Sequence, residues 1–462
     1  MTTDAPNLPL PTYDRSRLQA RIAHIGVGNF HRSHQAMYLH TLLSQGKSTN
    51  WGICGIGVMP GDVAMRDALA SQDFLYTLVE KSGDGSIAAT RIGSICGFLL
   101  ATEDTQAVLD LLASADVRIV SLTITEGGYN IDRVSGEFAL HDPRVRHDLA
   151  HPQSPTTVFG LITEALRLRR GRDIPPFTVM SCDNLPGNGH VARQAILAYA
   201  SAIDPDLAMW IDQHVTFPNS MVDRITPVTT DADRELVRTR FGLDDRWPVI
   251  TEPFTQWVLE DSFCNGRPEF EQVGVKLVPN VAPYELMKLR LLNGSHQAMA
   301  YIGLLRGHTF VHEAVADPDI RLFLQQYLDE ARVTLPPVPG VDVDHYIETL
   351  FERFSNAAIA DTLARLAVDA SDRIPKFVLP TIRDNLAAGR PVQRGADVVA
   401  HWAEYLARSE GVDDALAEDL VPLARHADVM KLVCYEPIFG DMAGQKAFAE
   451  AYRTAREETD IG

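Results

Sequence analysis

Ile22-Ala-His-Ile-Gly26-Val-Gly28-Asn29-Phe30-His31 is the stretch whose reading decides the fold. An apolar run ends in two spaced glycines, and after it Ala36, Leu39, Leu42 and Leu43 recur at helical spacing until Gly46. That order predicts a strand, a tight turn, a helix starting near His34 and a glycine C-cap. The apolar run at 51–58 predicts the next strand, so the opening of the chain reads as a βαβ unit with a right-handed crossover. Two glycines allow a tight turn and the close approach of a pyrophosphate to the start of the helix. The third position of the usual three-glycine fingerprint holds His31. This predicts either wider spacing between helix and strand or a histidine lying over the phosphates.

Working outward, further strands are predicted at 117–125 and 177–182, with residues 161–168 in a helix between them. Strands alternating with helices imply an α/β fold, a Rossmann-type, mostly parallel, doubly wound sheet. Near Pro283 the texture changes. Amphipathic helical segments follow at 284–305, 318–332, 344–354, 359–368, 396–408 and 448–458, with a breaker-rich loop at 334–341. The expected division is a dinucleotide-binding domain at 1–279 and a mainly helical substrate domain at 280–462.

Composition bounds the partners. A chain of 462 residues with 45% hydrophobic and 22% charged residues is long enough for two globular domains. Its formal net charge of -19 repels nucleic acid and anionic lipid, which leaves a small molecule or a protein as the partner. No apolar run approaches the roughly 18 residues of a membrane span, and residues 1–12 lack the pattern of a secretory signal. Five scattered cysteines match neither a zinc spacing nor a disulfide framework, so no metal, reduced thiols and a cytoplasmic protein are expected.

A dinucleotide site also needs a carboxylate after the second strand for the adenosine ribose. Asp62 stands there, about 36 residues beyond Gly26, where a spacing of roughly 20 is usual. A carboxylate at that point repels a 2′-phosphate and favours NAD over NADP, while Arg66 one turn later works the other way. The competing reading of Asp62 is a helix N-cap before Val63.

In Lys288-Leu-Arg-Leu-Leu-Asn293-Gly-Ser-His296 an amine, an amide and an imidazole share nine residues of an expected helix. At about 100° per residue, taking Lys288 as zero, His296 falls near 80° and Asn293 near 140°. All three then face one cleft, dried by Leu289 and Leu292, where a desolvated lysine acts as a proton acceptor. Taken singly they read as a snorkelling lysine, a surface amide and a core histidine. Asn184, in Cys182-Asp-Asn-Leu-Pro-Gly-Asn-Gly189, follows a predicted strand at the sheet end where ligands bind. Two amides on one oxygen would stabilise the alkoxide formed as Lys288 takes a hydroxyl proton and hydride leaves the same carbon. Turn chemistry explains Asn184 equally well. Glu126, in Thr125-Glu-Gly-Gly-Tyr129, also ends a predicted strand, and its plain reading is a solvated carboxylate.

With these motifs the chain resembles the polyol-specific long-chain dehydrogenases over nearly its whole length. The likeness runs through Ile25-Gly-Val-Gly-Asn-Phe-His-Arg-Ser-His-Gln35, Thr125-Glu-Gly-Gly-Tyr129, Cys182-Asp-Asn-Leu185, Phe217-Pro-Asn-Ser-Met-Val-Asp-Arg224 and 283–296. The resemblance implies a zinc-independent NAD enzyme, commonly monomeric, that interconverts a polyol and a ketose, with mannitol and fructose as the leading pair. It implies that Lys288 is the general base, that Asn184 and Asn293 form the oxyanion site and that His296 orients substrate. Glu126 would serve a water path for the lysine's proton, Asp223 would line the substrate site, and Asp62 would hold the adenosine ribose. Arg365 and Arg373 would donate to substrate hydroxyls, although Ala370 replaces an expected glycine in Asp369-Ala-Ser-Asp-Arg-Ile-Pro375. An arabinitol dehydrogenase or a fructuronate reductase would use the same catalytic set, and the two arginines suit a uronate carboxylate too. Outside this class, a glycine turn followed by an acid also suits an S-adenosylmethionine-dependent methyltransferase, in which Lys288, Asn184 and Asn293 would share no task.

Overall fold

The run that ends in glycine forms β1, Gln19–Ile25. Ten strands follow among the described residues: β2 Trp51–Gly57, β3 Tyr76–Lys81, β4 Ile87–Ile92, β5 Ile95–Leu100, β6 Ile119–Leu122, β7 Thr178–Ser181, β8 Ser220–Asp223, β9 Val249–Thr251, β10 Gln256–Glu260 and β11 Lys276–Val278. The computed structural model describes residues 8–132 and 136–459, the Glu126 side chain excepted. Five strands make one parallel sheet in the order β5-β2-β1-β6-β7. The strand order reverses on either side of β1, as in a doubly wound nucleotide-binding sheet. Two smaller sheets, β11-β10-β8 and β4-β3-β9, have no counterpart in the sequence expectation. Strands as short as Val249–Thr251 carry too few residues to display a period of two.

Side chains alternate across the central sheet. Ala23, Ile25, Val120, Leu122 and Val179 enter one core with residues of helices Thr105–Leu112, Val158–Gly171 and Asn188–Ile203. Ile22, Ile119 and Met180 enter another core with Leu39, Leu42 and Trp257. Each fully buried aliphatic side chain contributes about 1.5–3 kcal/mol of transfer free energy. The strand expected at 117–125 is cut to Ile119–Leu122, since Thr125 adopts a left-handed φ of 60° and the chain has already left the sheet.

The single helix expected after the glycine turn is two: α1, Asn29–Ser33, and α2, Gln35–Ser44. They part at His34, with φ -116° and ψ -93°. There the imidazole Nε2 pairs with Gln256 O at 3.0 Å and the ring packs among Phe30, Tyr38 and Trp257. Tertiary packing of one residue interrupts an otherwise helical pattern.

By its internal contacts the chain divides into two units, Met1–Lys81 with Ser86–Ala282, and Ser82–Gly85 with Pro283–Gly462. In the second, helices Pro318–Arg332, Val343–Phe354, Gln393–Arg408 and Lys446–Thr459 occupy the expected segments. The segment 359–368 is broken instead into a 3₁₀ turn, Ala357–Ile359, and a helix, Leu363–Ala367, because Ala360 takes a left-handed φ of 50°. The helix expected at 284–305 changes winding twice: α over Ala282–Met287, π over Lys288–Asn293, and α again over Gly294–Leu305. No helix among the described residues is long and apolar enough to cross a membrane.

Candidate active site

The glycine turn uses its two glycines differently. Gly26 has φ 93°, its N–H donates to Ile56 O at 3.2 Å, and a Cβ there would fall 2.1 Å from Thr123 O. Only glycine fits between β1 and the end of β6. Gly28 has an ordinary φ of -107°, and a Cβ would meet only Gly26 O, at 3.9 Å. The space beside its backbone is therefore a cradle that a side chain would fill, as the approach of a pyrophosphate requires. Asn29 next to it is anchored by Nδ2 donating to Pro227 O at 3.1 Å and by Oδ1 accepting from Arg32 at 2.6 Å. Phe30 stacks on His34 with ring centroids 4.9 Å apart.

His31 turns inward and does not lie over the turn. Its ring is buried and stacks on His24 of β1 at 3.4 Å, which places it beneath the turn and not over the phosphates. Burial, with the Arg32 guanidinium close by, holds His31 well below the usual imidazole range, and His24 is pushed down to about 3 by desolvation. His24 is fixed by Ser121 at 2.8 Å and Thr123 at 2.9 Å.

Asp62 is the first residue of α3, Asp62–Ala70, whose N-cap is Gly61, so the expected N-cap role is incorrect. Its Oδ2 instead reaches back to accept from Val58 N at 2.8 Å and Met59 N at 2.9 Å. Oδ1 accepts no hydrogen bond from any described residue. The carboxylate is thus pinned at the end of β2 with one oxygen left for a diol. Arg66 is committed to Glu103, at 2.9 and 3.1 Å, and to Asp67 at 2.6 Å, which removes it as a ready phosphate partner.

Asn184 is exposed just beyond the C-terminal end of β7. The residue before it organises the surroundings: the Asp183 carboxylate accepts from Ile124 N at 3.1 Å, Thr125 N at 2.8 Å and the Tyr129 hydroxyl at 2.7 Å. It thereby ties β7 to the one-turn helix Thr125–Gly128 that carries Glu126, whose side chain lies outside the described residues. Asn188 continues the tie, its Nδ2 donating to Asp183 O at 2.9 Å and Ser220 O at 2.8 Å. Ser220 opens β8, and the buried Asp223 closes it.

In the second unit the π winding overturns the angular reading made at 100° per residue. A π turn bonds residue i to i+5, and the Gly294 N–H donates to Leu289 O, five residues back. Residues five apart are therefore closer in direction than on an α-helix, and Lys288 and Asn293 are such a pair. On a regular α-helix they would point about 140° apart. Lys288 is 8% exposed and Asn293 7%, and the Asn293 Nδ2 is buried with no hydrogen-bond partner among the described residues. Leu292 is buried, as expected; Leu289 is only half-buried. His296 follows on the α-helical continuation and packs on Phe354 with ring centroids 5.2 Å apart.

Arg365 is half-exposed and forms a bidentate pair with Asp361, both contacts at 2.7 Å. Arg373 donates to Leu366 O at 3.1 Å and Arg365 O at 3.4 Å, the last carbonyls of helix Leu363–Ala367. Gln297 donates to the same Leu366 O at 3.0 Å. Ala370 in place of glycine leaves the loop unstrained at that residue. The left-handed conformation falls on Asp369, with φ 51°, and Ala370 begins helix Ala370–Phe377 fully buried.

The chain matches the mannitol dehydrogenase Rossmann domain over residues 20–272 and the mannitol dehydrogenase C-terminal domain over residues 280–460. It belongs to the mannitol dehydrogenase family. A mannitol 2-dehydrogenase of Phaeosphaeria nodorum is 43% identical over 464 residues, covering 98% of this chain and 82% of that protein. A solved mannitol 2-dehydrogenase of Pseudomonas fluorescens, in ternary complex with NAD and D-mannitol, is 48% identical with a TM-score of 0.89 and covers 98% of this chain and 94% of that one. A substrate-free D-sorbitol dehydrogenase is 37% identical with a TM-score of 0.90, covering 98% and 96%.

For this member of the mannitol dehydrogenase family, sequence reading missed Asp183, Asn188 and Gly294. A carboxylate directly before Asn184 at a strand end was a usable signal for Asp183. Gly294 carried none, because its requirement comes from Tyr327, 33 positions away: a Cβ would fall 2.2 Å from the tyrosine Oη.

Proposed function

We propose that this protein is an NAD-dependent polyol dehydrogenase that oxidises D-mannitol at a secondary alcohol to fructose, reversibly. The observation that supports the reading is the π turn, which carries a buried lysine and, five residues on, a buried amide whose Nδ2 has no partner among the described residues. Lys288 Nζ takes the hydroxyl proton. Asn293 Nδ2 donates to the oxygen as charge develops on it, and Asn184 supplies a second donor, so the alkoxide forms against preorganised dipoles. NAD, when bound, accepts the hydride that leaves the same carbon. His296 orients the substrate, Glu126 returns the lysine's proton to water, and Asp223, Arg365 and Arg373 hold further hydroxyls. Gly26, Gly28, Asn29 and Phe30 shape the pyrophosphate turn, His31 supports it from beneath, and Asp62 holds the ribose diol.

The reading extends to a monomer working in the cytoplasm on small molecules and not on nucleic acid. Five free cysteines support the compartment and a net charge of -19 the exclusion of nucleic acid. The test is a panel of mannitol, sorbitol, arabinitol, fructose and fructuronate with NAD(H) and NADP(H). The expected result is the highest kcat/KM for mannitol and fructose with NAD(H). Turnover confined to fructuronate would overturn the substrate assignment, and a Lys288→Ala variant with undiminished kcat would overturn the mechanism.

A further inference from the structure

Tyr327 is fully buried on helix Pro318–Arg332, and its hydroxyl reaches the π segment. In an α-helix the carbonyl of Arg290 would receive the N–H of Gly294, four residues on. Here that N–H goes to Leu289 O and Leu291 O and passes over Arg290 O. The Tyr327 hydroxyl donates to Arg290 O instead, at 3.4 Å. It reaches that carbonyl because residue 294 has no Cβ; one would stand 2.2 Å from the Oη and 3.1 Å from Cζ. From another side the Arg290 guanidinium donates to Thr334 O at 2.9 Å and Asp384 at 2.5 Å. The middle of the π turn is thus held through both the side chain and the carbonyl of one residue.

We infer that Tyr327 is a positioning residue: its hydroxyl stands in for the α-helical bond at Arg290 O and so holds the winding that brings Lys288 and Asn293 closer in direction than an α-helix would. The inference rests on the proposed roles of those two residues. Without the hydroxyl, Arg290 O is free to take the Gly294 N–H, the π turn relaxes toward α winding, and Lys288 and Asn293 swing apart. Wide turns of this kind occur mostly at functional sites, consistent with winding that is maintained for chemistry.

The test is Tyr327→Phe in the full-length protein, which keeps the ring and removes the hydroxyl. The expected result is a fall in kcat of about 10–100-fold, with the KM for mannitol, the Kd for NAD and the melting midpoint close to those of the parent. Gly294→Ala, which displaces the hydroxyl, should give a similar loss. The double variant should be no worse than either single one, because both remove the same contact. A crystal structure of Tyr327→Phe should show the Gly294 N–H paired with Arg290 O. Unchanged kcat, a π turn intact in that crystal structure, or a kcat loss matched by an equally large fall in the melting midpoint would each overturn the inference. Failure of the underlying reading is separable: Lys288→Ala with full activity refutes the catalytic roles, while the winding in the Tyr327→Phe crystal structure still reports on Tyr327.

Discussion

Replacing Gly26 and Gly28 one at a time with alanine should separate a glycine demanded by the fold from one demanded by the ligand. At Gly26 the new Cβ enters a left-handed backbone, φ 93°, and falls 2.1 Å from Thr123 O and 2.9 Å from its carbonyl carbon. The conformation costs about 1–2 kcal/mol for a residue with a side chain. The obstacle is main chain, so the end of β6 must retreat, straining Thr123 N to Ile25 O at 3.0 Å and the Thr123 hydroxyl to Gly26 O at 2.7 Å. Overpacking of this kind costs about 1–3 kcal/mol, and two weakened hydrogen bonds about 1 kcal/mol each. The sum is roughly 4–7 kcal/mol against the 5–15 kcal/mol typical of a whole domain. Gly26→Ala should therefore expose a largely destabilised first unit in urea unfolding. Gly28→Ala meets nothing closer than 3.9 Å, so its unfolding midpoint should match the parent's. Its methyl group occupies the cradle, however, and NAD affinity measured by fluorescence titration should fall at least tenfold, about 1.4 kcal/mol. Equal midpoints for Gly26→Ala and the parent, or an unchanged Kd for Gly28→Ala, would refute the reasoning.

Asn293→Ala should lower kcat by about 10²–10³ while leaving NAD binding intact, as measured by steady-state kinetics and titration. Asp62→Ala should weaken NAD by about tenfold without a matching gain for NADP, because Arg66 remains held by Glu103; dual-cofactor kinetics would show it. Asp183→Asn should lower stability by about 2 kcal/mol, since an amide cannot accept from Ile124 N, Thr125 N and the Tyr129 hydroxyl together; thermal melts would measure the loss. His40 is buried beside Tyr13, and desolvation pushes it down to about 4. The unfolded chain, titrating near 6.5, then binds this proton first as the pH falls. The corresponding stability is fully present above about pH 6.5 and is lost progressively toward pH 4, on the order of 3 kcal/mol. A His40→Gln variant should show a flatter stability profile over that window in urea titrations at successive pH values.

Much of the site was legible because its chemistry sits in contiguous stretches. A strand and turn wrote Gly26 and Gly28 side by side, and nine residues carry Lys288, Asn293 and His296 together. Less visible was geometry that depends on partners far along the chain. His31 could have pointed either way, and only packing against His24 of β1 turns it inward. The resemblance makes Arg373 a donor to substrate hydroxyls, and only the fold shows that it also donates to the carbonyls of Arg365 and Leu366. Asp62 looks like an N-cap until its carboxylate is seen to reach back to the end of β2.

By itself the sequence determined the two-part architecture, the strand and glycine turn that open it and the candidate catalytic residues. Periodicity, glycine placement and charge are local properties that neighbours along the chain already express. Tertiary structure alone decided the winding of 288–293 and hence which side chains share a face. A π turn differs from an α turn by one hydrogen-bond register, and what accompanies that choice here is Tyr327, a hydroxyl on another helix resting on Arg290 O where Gly294 leaves it room.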